Sequence, residues 1–278
     1  MHTGNRKTMR RGLVETEFGY IHYRHTGDHH AQAIVLSHIN QQSSALMIEL
    51  LEKLGRTLHA VAIDYPSCGM SDHVAEQPAI HDYATVIIRV LDALKIDKAS
   101  TLGEAGGAFV SADLAATYPD RVQNAILVNC PYYGNEDTKH RAHTPLKTGL
   151  RPDDASGFPM TRTLEFVLQQ DPGHAPLHPT QSWMDRINVA AIEAGRHRWQ
   201  VLDAIHAYDL PTNLKKIRCP TLLMMGEHFH YVQDMPTLQS YLANSAGAVI
   251  QGGRFCMTWE HAGEITERTL KFINKSST

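Results

Sequence analysis

Residues 102–107 read Leu-Gly-Glu-Ala-Gly-Gly, and this stretch decides the fold. It has the form G-x-S-x-G, a sharp strand-to-helix turn that holds its central side chain above the end of a sheet. Gly103, Gly106 and Gly107 keep the small residues that the turn needs, whereas Ala105 stands where the pattern has serine. Because a methyl group cannot attack a carbonyl, the sequence predicts no covalent acyl intermediate at this position.

Strands and helices alternate on both sides of this turn. Continuous apolar runs predict buried strands, and alternating residues at 13–24 predict a pair of edge strands. The predicted buried strands span 33–37 and 58–63, and further strands are predicted over 99–102, 125–129, 217–226 and 248–251. Helical spacing of apolar residues predicts helices over 46–54, 80–94, 108–118 and 264–273. This alternation favours right-handed crossovers and a mostly parallel sheet flanked by helices on both faces.

The pattern changes between residues 131 and 210. Prolines recur there between helical pieces at 160–170 and 183–206, and no segment reads as a strand. We predict an inserted helical cap over 131–210, between two parts of one core domain at 1–130 and 211–278.

Composition excludes several classes of function. The 278 residues are 42% hydrophobic and 20% charged, which suits one core domain with an insertion. The net charge of -3 offers no basic field for phosphate backbones, so no nucleic-acid partner is expected. The four cysteines form no C-x-x-C pair, which favours a reducing cytoplasm over a disulfide framework. No segment has the apolar length of a membrane span, and no signal peptide is evident.

The order of these elements and several short motifs resemble the α/β-hydrolase superfamily over nearly the whole chain. The motifs are Val-Leu-Ser-His-Ile at 35–39, Asp-Tyr-Pro-Ser-Cys-Gly-Met-Ser at 64–71, the turn at 102–107, Tyr-Pro-Asp-Arg-Val at 118–122 and Cys-Pro-Thr-Leu at 219–222. The resemblance implies a substrate pocket between the carboxyl edge of the sheet and the cap, where open α/β sheets generally bind ligands.

The resemblance also implies a catalytic nucleophile, acid and histidine, and the sequence departs from the family at all three places. Ala105 replaces the nucleophile, Phe229 the acid and Arg254 the histidine. An engineered replacement of the nucleophile by Ala105 would not account for the departures at Phe229 and Arg254. What the resemblance leaves in place is an oxyanion hole, formed by the backbone N–H groups of Gly106 and of the loop near Ile39.

Polar residues near this hole are the candidates for acid–base catalysis. Glu104 is either a general base with a pKa raised by burial or a structural residue that bonds to neighbouring backbone. His38 either donates to the substrate or braces its own loop. His230 is a candidate acid or base after a strand end. Arg254 either binds a substrate carboxylate or pairs with an acid such as Glu227.

Further residues are expected to line the substrate pocket: Ile39, Asn40, Ala105, Gly106, His228 and Phe229. His228 and His230 have the spacing of metal ligands, but no third ligand is evident in the sequence. We therefore predict neither a metal nor a cofactor.

Two functions fit these residues. The first is an enzyme that acts on a small carbonyl compound, anionic or enolisable, by non-covalent proton transfer and oxyanion stabilisation, as a lyase, decarboxylase, isomerase, cyclase or cofactor-free oxygenase does. The second is a catalytically silent, hydrolase-like binding or scaffold protein. Convergent polar groups in the pocket favour the enzyme, which we prefer, and an apolar or occluded pocket favours the binding protein. Either protein is expected to be cytoplasmic and is compatible with a homodimer.

Overall fold

An eight-stranded sheet forms the core of the computed structural model, which describes residues 9–132, 161–170 and 172–276. The strands are β1 (Arg10–Thr16), β2 (Gly19–Thr26), β3 (Ala33–Ser37), β4 (His59–Ile63), β5 (Ala99–Glu104), β6 (Val122–Val128), β7 (Thr221–Gly226) and β8 (Ser245–Ile250). Their order in the sheet is β1-β2-β4-β3-β5-β6-β7-β8. Strand β2 pairs antiparallel with β1 and β4, and the remaining described pairs are parallel. The predicted α/β-hydrolase fold is confirmed.

Helices pack on both faces of this sheet. They are α1 (Ile48–Leu54), α2 (Ile80–Ala93), α3 (Gly106–Thr117), α4 (Leu164–Gln170), α5 (Gln181–Ala194), α6 (Gln200–Ala207), α7 (Leu210–Leu214), α8 (Met235–Ser240), α9 (Met257–Glu260) and α10 (Ala262–Ser276). Within the described ranges, none of them has the length and apolar character that crossing a bilayer requires.

The central strands show why the apolar runs of the sequence are continuous. Every residue of β3 and of β4 is buried. Successive residues of a strand point to opposite faces. Val35 accordingly packs in one apolar cluster with Tyr83 of α2, and its neighbour Leu36 packs in a second cluster with Leu50 of α1. Both faces of these strands are therefore covered by helices, so both alternating sets of side chains are apolar.

Two predictions about local structure need correction. The segment 13–24 was expected to supply two edge strands, but only β1 lies at the sheet edge, because β2 continues to Thr26 and pairs with β4 on its other side. The helix expected over 46–54 begins as a 3-10 turn at Ser44–Met47 and becomes α1 at Ile48. The short helices α7, α8 and α9 were not predicted, because four to six residues are too few to show the helical spacing of apolar residues.

Helices α4, α5 and α6 fall within the range predicted to form the cap, and the part of that range which the structure describes contains no strand. Residues 133–160, including the start of the helix expected over 160–170, lie outside the described ranges. The proposed division into core and cap therefore stays a prediction.

Hydrogen bonds join this helical region to the core, among them those of Arg186 and Glu260. Arg186 of α5 donates from Nη1 to Oε2 of Glu49 in α1 at 2.9 Å. Glu260 of α9 accepts the backbone N–H of Leu177 at 2.8 Å and that of His178 at 2.7 Å. Helix α5 is thereby held over the carboxyl edge of the sheet.

Candidate functional site

The turn between β5 and α3 has a strained backbone at its central residue. Ala105 has φ 50° and ψ −111°, a conformation that residues with a side chain rarely adopt and that costs about 1–3 kcal/mol. The flanking glycines make room for this turn. A Cβ on Gly107 would overlap the carbonyl oxygen of Ser37, and a Cβ on Gly103 would overlap that of Gly107. We call residues 103–107 the elbow.

Strained residues are concentrated near this elbow. Among the described residues, six non-glycine residues have a positive φ, and five of them lie in segments that leave the carboxyl ends of strands. Besides Ala105 these are Gln41 after β3 (64°), Ser67 after β4 (64°), Asn129 after β6 (45°) and Cys256 after β8 (57°). Because strain of this kind persists where the surroundings impose it, often at functional sites, the carboxyl edge around the elbow is the candidate site.

Gly106 is the first residue of α3, so its backbone N–H has no acceptor within the helix and lies at the positive end of the helix dipole. Two side chains approach it. A Cβ on Gly106 would lie 3.0 Å from Oδ1 of Asn40 and 3.0 Å from Cδ1 of Ile205. Ile39 is buried in the same apolar cluster as Ala105. The structure therefore brings together four residues expected at the pocket: Ile39, Asn40, Ala105 and Gly106.

An apolar cluster surrounds Ala105, which we call the elbow cluster. Its buried members are Ile39, Leu46, Ala105, Val167, Ala175, Trp183, Met184, Ile187, Phe229, Phe255 and Cys256, and none of these side chains is charged at neutral pH. The rings of Phe229 and Phe255 stack with their centroids 6.5 Å apart. Phe229 was expected to line the pocket. The alignment with the family motif placed Arg254 at the site and gave no role to the next residue, Phe255, which the structure buries in this cluster.

Glu104 is buried and fully hydrogen-bonded within the core. Its Oε1 accepts from the N–H of Met257 at 2.8 Å and from Nδ2 of Asn129 at 3.0 Å. Its Oε2 accepts from the N–H and the Oγ1 of Thr258 at 2.9 and 2.6 Å. Burial raises the pKa of Glu104, and these donated hydrogen bonds act in the opposite direction. Of the two roles considered for Glu104, the geometry favours the structural one, which ties β5 to the start of α9.

His38 is also buried, and both of its ring nitrogens are engaged. Nδ1 donates to the carbonyl oxygen of Ile39 at 2.8 Å, and Nε2 accepts from the N–H of Tyr65 at 3.3 Å. Burial lowers the pKa of His38, which favours the neutral ring that this pattern requires. The geometry therefore favours the bracing role, in which His38 fixes the loop that carries Ile39.

The other polar candidates are more exposed. The side chain of His228 is 51% exposed and lies 3.8 Å from the carboxylate of Glu227. His230 is exposed and lies against Gly173. Arg254 is half-buried, and its carbonyl oxygen accepts from Nδ2 of Asn129 at 2.8 Å. The described ranges contain no group of three or more His, Cys, Asp or Glu side chains placed to hold a metal ion.

Comparison with known proteins finds one matching family and several similar enzymes. A family described as alpha/beta hydrolase fold matches residues 32–262. An (E)-2-((N-methylformamido)methylene)succinate hydrolase from Acinetobacter baylyi is 21% identical over 74% of this chain and 74% of its own length. A 2-hydroxy-6-oxononadienedioate/2-hydroxy-6-oxononatrienedioate hydrolase from Klebsiella pneumoniae is 24% identical over 77% of this chain and 76% of its own length.

A solved structure is similar over nearly the whole chain. The enol-lactonase from Burkholderia xenovorans LB400 superposes with a TM-score of 0.75 at 20% identity, covering 95% of this chain and 100% of that one. At this identity the likeness supports the fold alone.

Proposed function

The chain belongs to the α/β hydrolase fold family, and we propose that it is an enzyme of this type that acts on a small, enolisable carbonyl compound without forming an acyl-enzyme. One observation carries the proposal: Ala105 places a methyl group in the strained geometry of the elbow, next to the free helix start at Gly106. Phe229 and Phe255 belong to the same buried apolar cluster as Ala105. In this proposal the elbow keeps the site for an oxyanion and lacks the nucleophile, acid and histidine of a hydrolase.

The chemistry proposed for this site is stabilisation of an enolate. The carbonyl oxygen of the substrate accepts hydrogen bonds from the N–H groups of Gly106 and Ile39, which strengthen as negative charge develops on that oxygen. In enzymes where such a donor has been removed, the loss is about 3 kcal/mol. The elbow cluster supports this role because an apolar, water-excluding surround strengthens these hydrogen bonds. A lyase, decarboxylase, isomerase or cyclase reaction needs no protein nucleophile and fits this site.

A small-molecule substrate has two supports. The two relatives compared above are named as hydrolases of a methylenesuccinate and of an oxononadienedioate or oxononatrienedioate. The uncharged elbow cluster favours an apolar, neutral group next to the carbonyl. A substrate carboxylate, if present, is proposed to lie toward half-buried Arg254, outside this cluster.

Ligand binding without turnover is a second candidate function. It is favoured by the apolar surround of Ala105 and by the engagement of Glu104 and His38 in hydrogen bonds that hold the backbone. A cytoplasmic location and a homodimer also remain proposals, the former supported by four cysteines that are all free.

We expect the protein to speed the exchange of α-protons of 4-phenylbutan-2-one in D₂O at least tenfold over buffer alone, because the elbow stabilises the enolate that forms when a buffer base removes the α-proton. Proton NMR of the ketone measures this rate. Gly106→Ala places a methyl group beside Asn40, and we expect it to reduce the protein's acceleration of proton exchange more than tenfold. Gly263→Ala is the matched control, because a Cβ there meets no atom within 4 Å. Exchange at the buffer rate would contradict the enzyme, and saturable binding of the ketone without exchange would support the binding protein.

A further inference from the structure

Two side-chain N–H donors are buried beside the elbow without a strong acceptor. Nε2 of Gln42, a residue 7% exposed, lies 3.5 Å from Sγ of Cys256. Trp183 is 2% exposed, and among the described residues its Nε1 has no acceptor stronger than the thiol of Cys256. Trp183 and Cys256 both belong to the elbow cluster with Ala105. The donors therefore lie in the part of the molecule that the proposed function assigns to the substrate.

The thiol of Cys256 does not satisfy these donors. Burial raises the pKa of Cys256 well above its usual value, and donation from Gln42 and Trp183 opposes this rise. The thiol is therefore neutral, and a neutral sulfur is a weak acceptor. Buried polar groups in native proteins nearly always have a partner, and an unpaired donor costs free energy. An oxygen atom in this place would recover that free energy.

The surroundings restrict what this oxygen can be. In addition to burial, the carboxylates of Glu104 and Glu260 raise the pKa of Cys256, so an anion placed beside this thiol would be repelled as well as desolvated. A neutral carbonyl or ether oxygen needs no counter-charge and accepts from amide and indole N–H groups.

We propose that Gln42 and Trp183 form a second oxygen-binding subsite beside the elbow, so that the ligand carries two neutral acceptor oxygens, as a diketone does. The inference rests on the proposed function, because the first oxygen is the one held at Gly106. It deepens that function by naming the substrate class and two residues that select it.

A binding series tests this subsite. Phenyl-substituted 1,3-, 1,4- and 1,5-diketones are titrated against 4-phenylbutan-2-one, which has a single oxygen, by calorimetry. We expect at least one diketone to bind about tenfold more tightly than the monoketone. Trp183→Phe keeps an aromatic ring but removes the N–H, and it is expected to abolish this preference, so that the ratio of diketone affinity to monoketone affinity falls to about one.

Trp199→Phe is the matched control. The Nε1 of Trp199 is also buried without a partner among the described residues, but Trp199 lies in the cluster that contains Phe109 and Ile205 rather than in the elbow cluster. This variant should keep the preference for the diketone. Equal binding of all ketones by the wild type, or a preference that survives Trp183→Phe, would overturn the subsite and leave the proposed function standing. Failure of every ketone, the monoketone included, to bind would overturn both.

Discussion

Replacing Gly107 with alanine is expected to destabilise the protein by more than about 4 kcal/mol and to leave little soluble material. A Cβ at this position would overlap the carbonyl oxygen of Ser37 and lie 2.7 Å from that of His38. Both atoms belong to backbone at the end of β3, which β4 and β5 hold from either side. Helix α3 would therefore have to move away from the sheet.

Urea denaturation of any soluble fraction, followed by circular dichroism, measures the effect of Gly107→Ala. Gly106→Ala serves as the control, because a methyl group there meets the side chains of Asn40 and Ile205, which can adjust, rather than backbone. We expect the control to lose less than about 2 kcal/mol. A Gly107→Ala protein with wild-type stability would contradict the close contact of α3 with β3.

Glu104→Ala is expected to lower the free energy of unfolding by roughly 3–5 kcal/mol. The change removes the acceptor of four buried donors, the N–H groups of Met257 and Thr258, the Oγ1 of Thr258 and the Nδ2 of Asn129, and it also leaves a cavity. Met257 and Thr258 directly follow Phe255 and Cys256, so we also expect weaker binding of ketones at the elbow. Urea denaturation and ketone titration measure the two effects.

Glu104→Gln is the control for this prediction. The glutamine keeps one oxygen acceptor and turns an amide toward Thr258, whose Oγ1 can accept from it, so we expect a smaller loss of stability than for alanine. The alternative, in which Glu104 is a general base, predicts the reverse pattern. Under that alternative Glu104→Gln would keep its stability and ketone affinity and lose proton exchange.

The elbow could be predicted from local sequence because its requirements are local. The glycines at 103, 106 and 107 each lie where a Cβ would meet backbone or a neighbouring side chain. The strands β3 and β4 could also be predicted from the sequence, because burial on both faces favours apolar residues at nearly every position. These features depend on residues close together in the chain or on a single repeated environment.

The identity of the side chains around the elbow depends on distant segments. Phe255 reaches Ala105 only through the path of the chain after β8, which includes positive φ at Gly252 (67°) and Cys256 (57°). Counting residues along the family motif cannot show which of Arg254 and Phe255 points into the core, because the spacing of the motif does not reveal these backbone bends. Trp183 comes from α5 and has no sequence signal that would separate it from an ordinary packing residue.

The role of Glu104 shows the same limit. From sequence, a buried carboxylate next to the elbow fits a base or a structural acceptor equally well. Its partners Met257 and Thr258 lie 153 and 154 residues further along the chain. Only the three-dimensional fold shows that both carboxylate oxygens are already occupied by donors.

The central claim is that the elbow holds an oxyanion site without a nucleophile. Incubation with an excess of an alkyl fluorophosphonate, which labels activated serine hydroxyls, followed by intact-mass measurement, tests it most directly. We expect an unchanged mass for the wild type and also for Ala105→Ser, because Phe229 and Arg254 stand where the family has the acid and the histidine that would activate a serine. A single stoichiometric adduct on the wild type, mapped to a serine hydroxyl of the loops that follow the carboxyl ends of the strands, would contradict the claim.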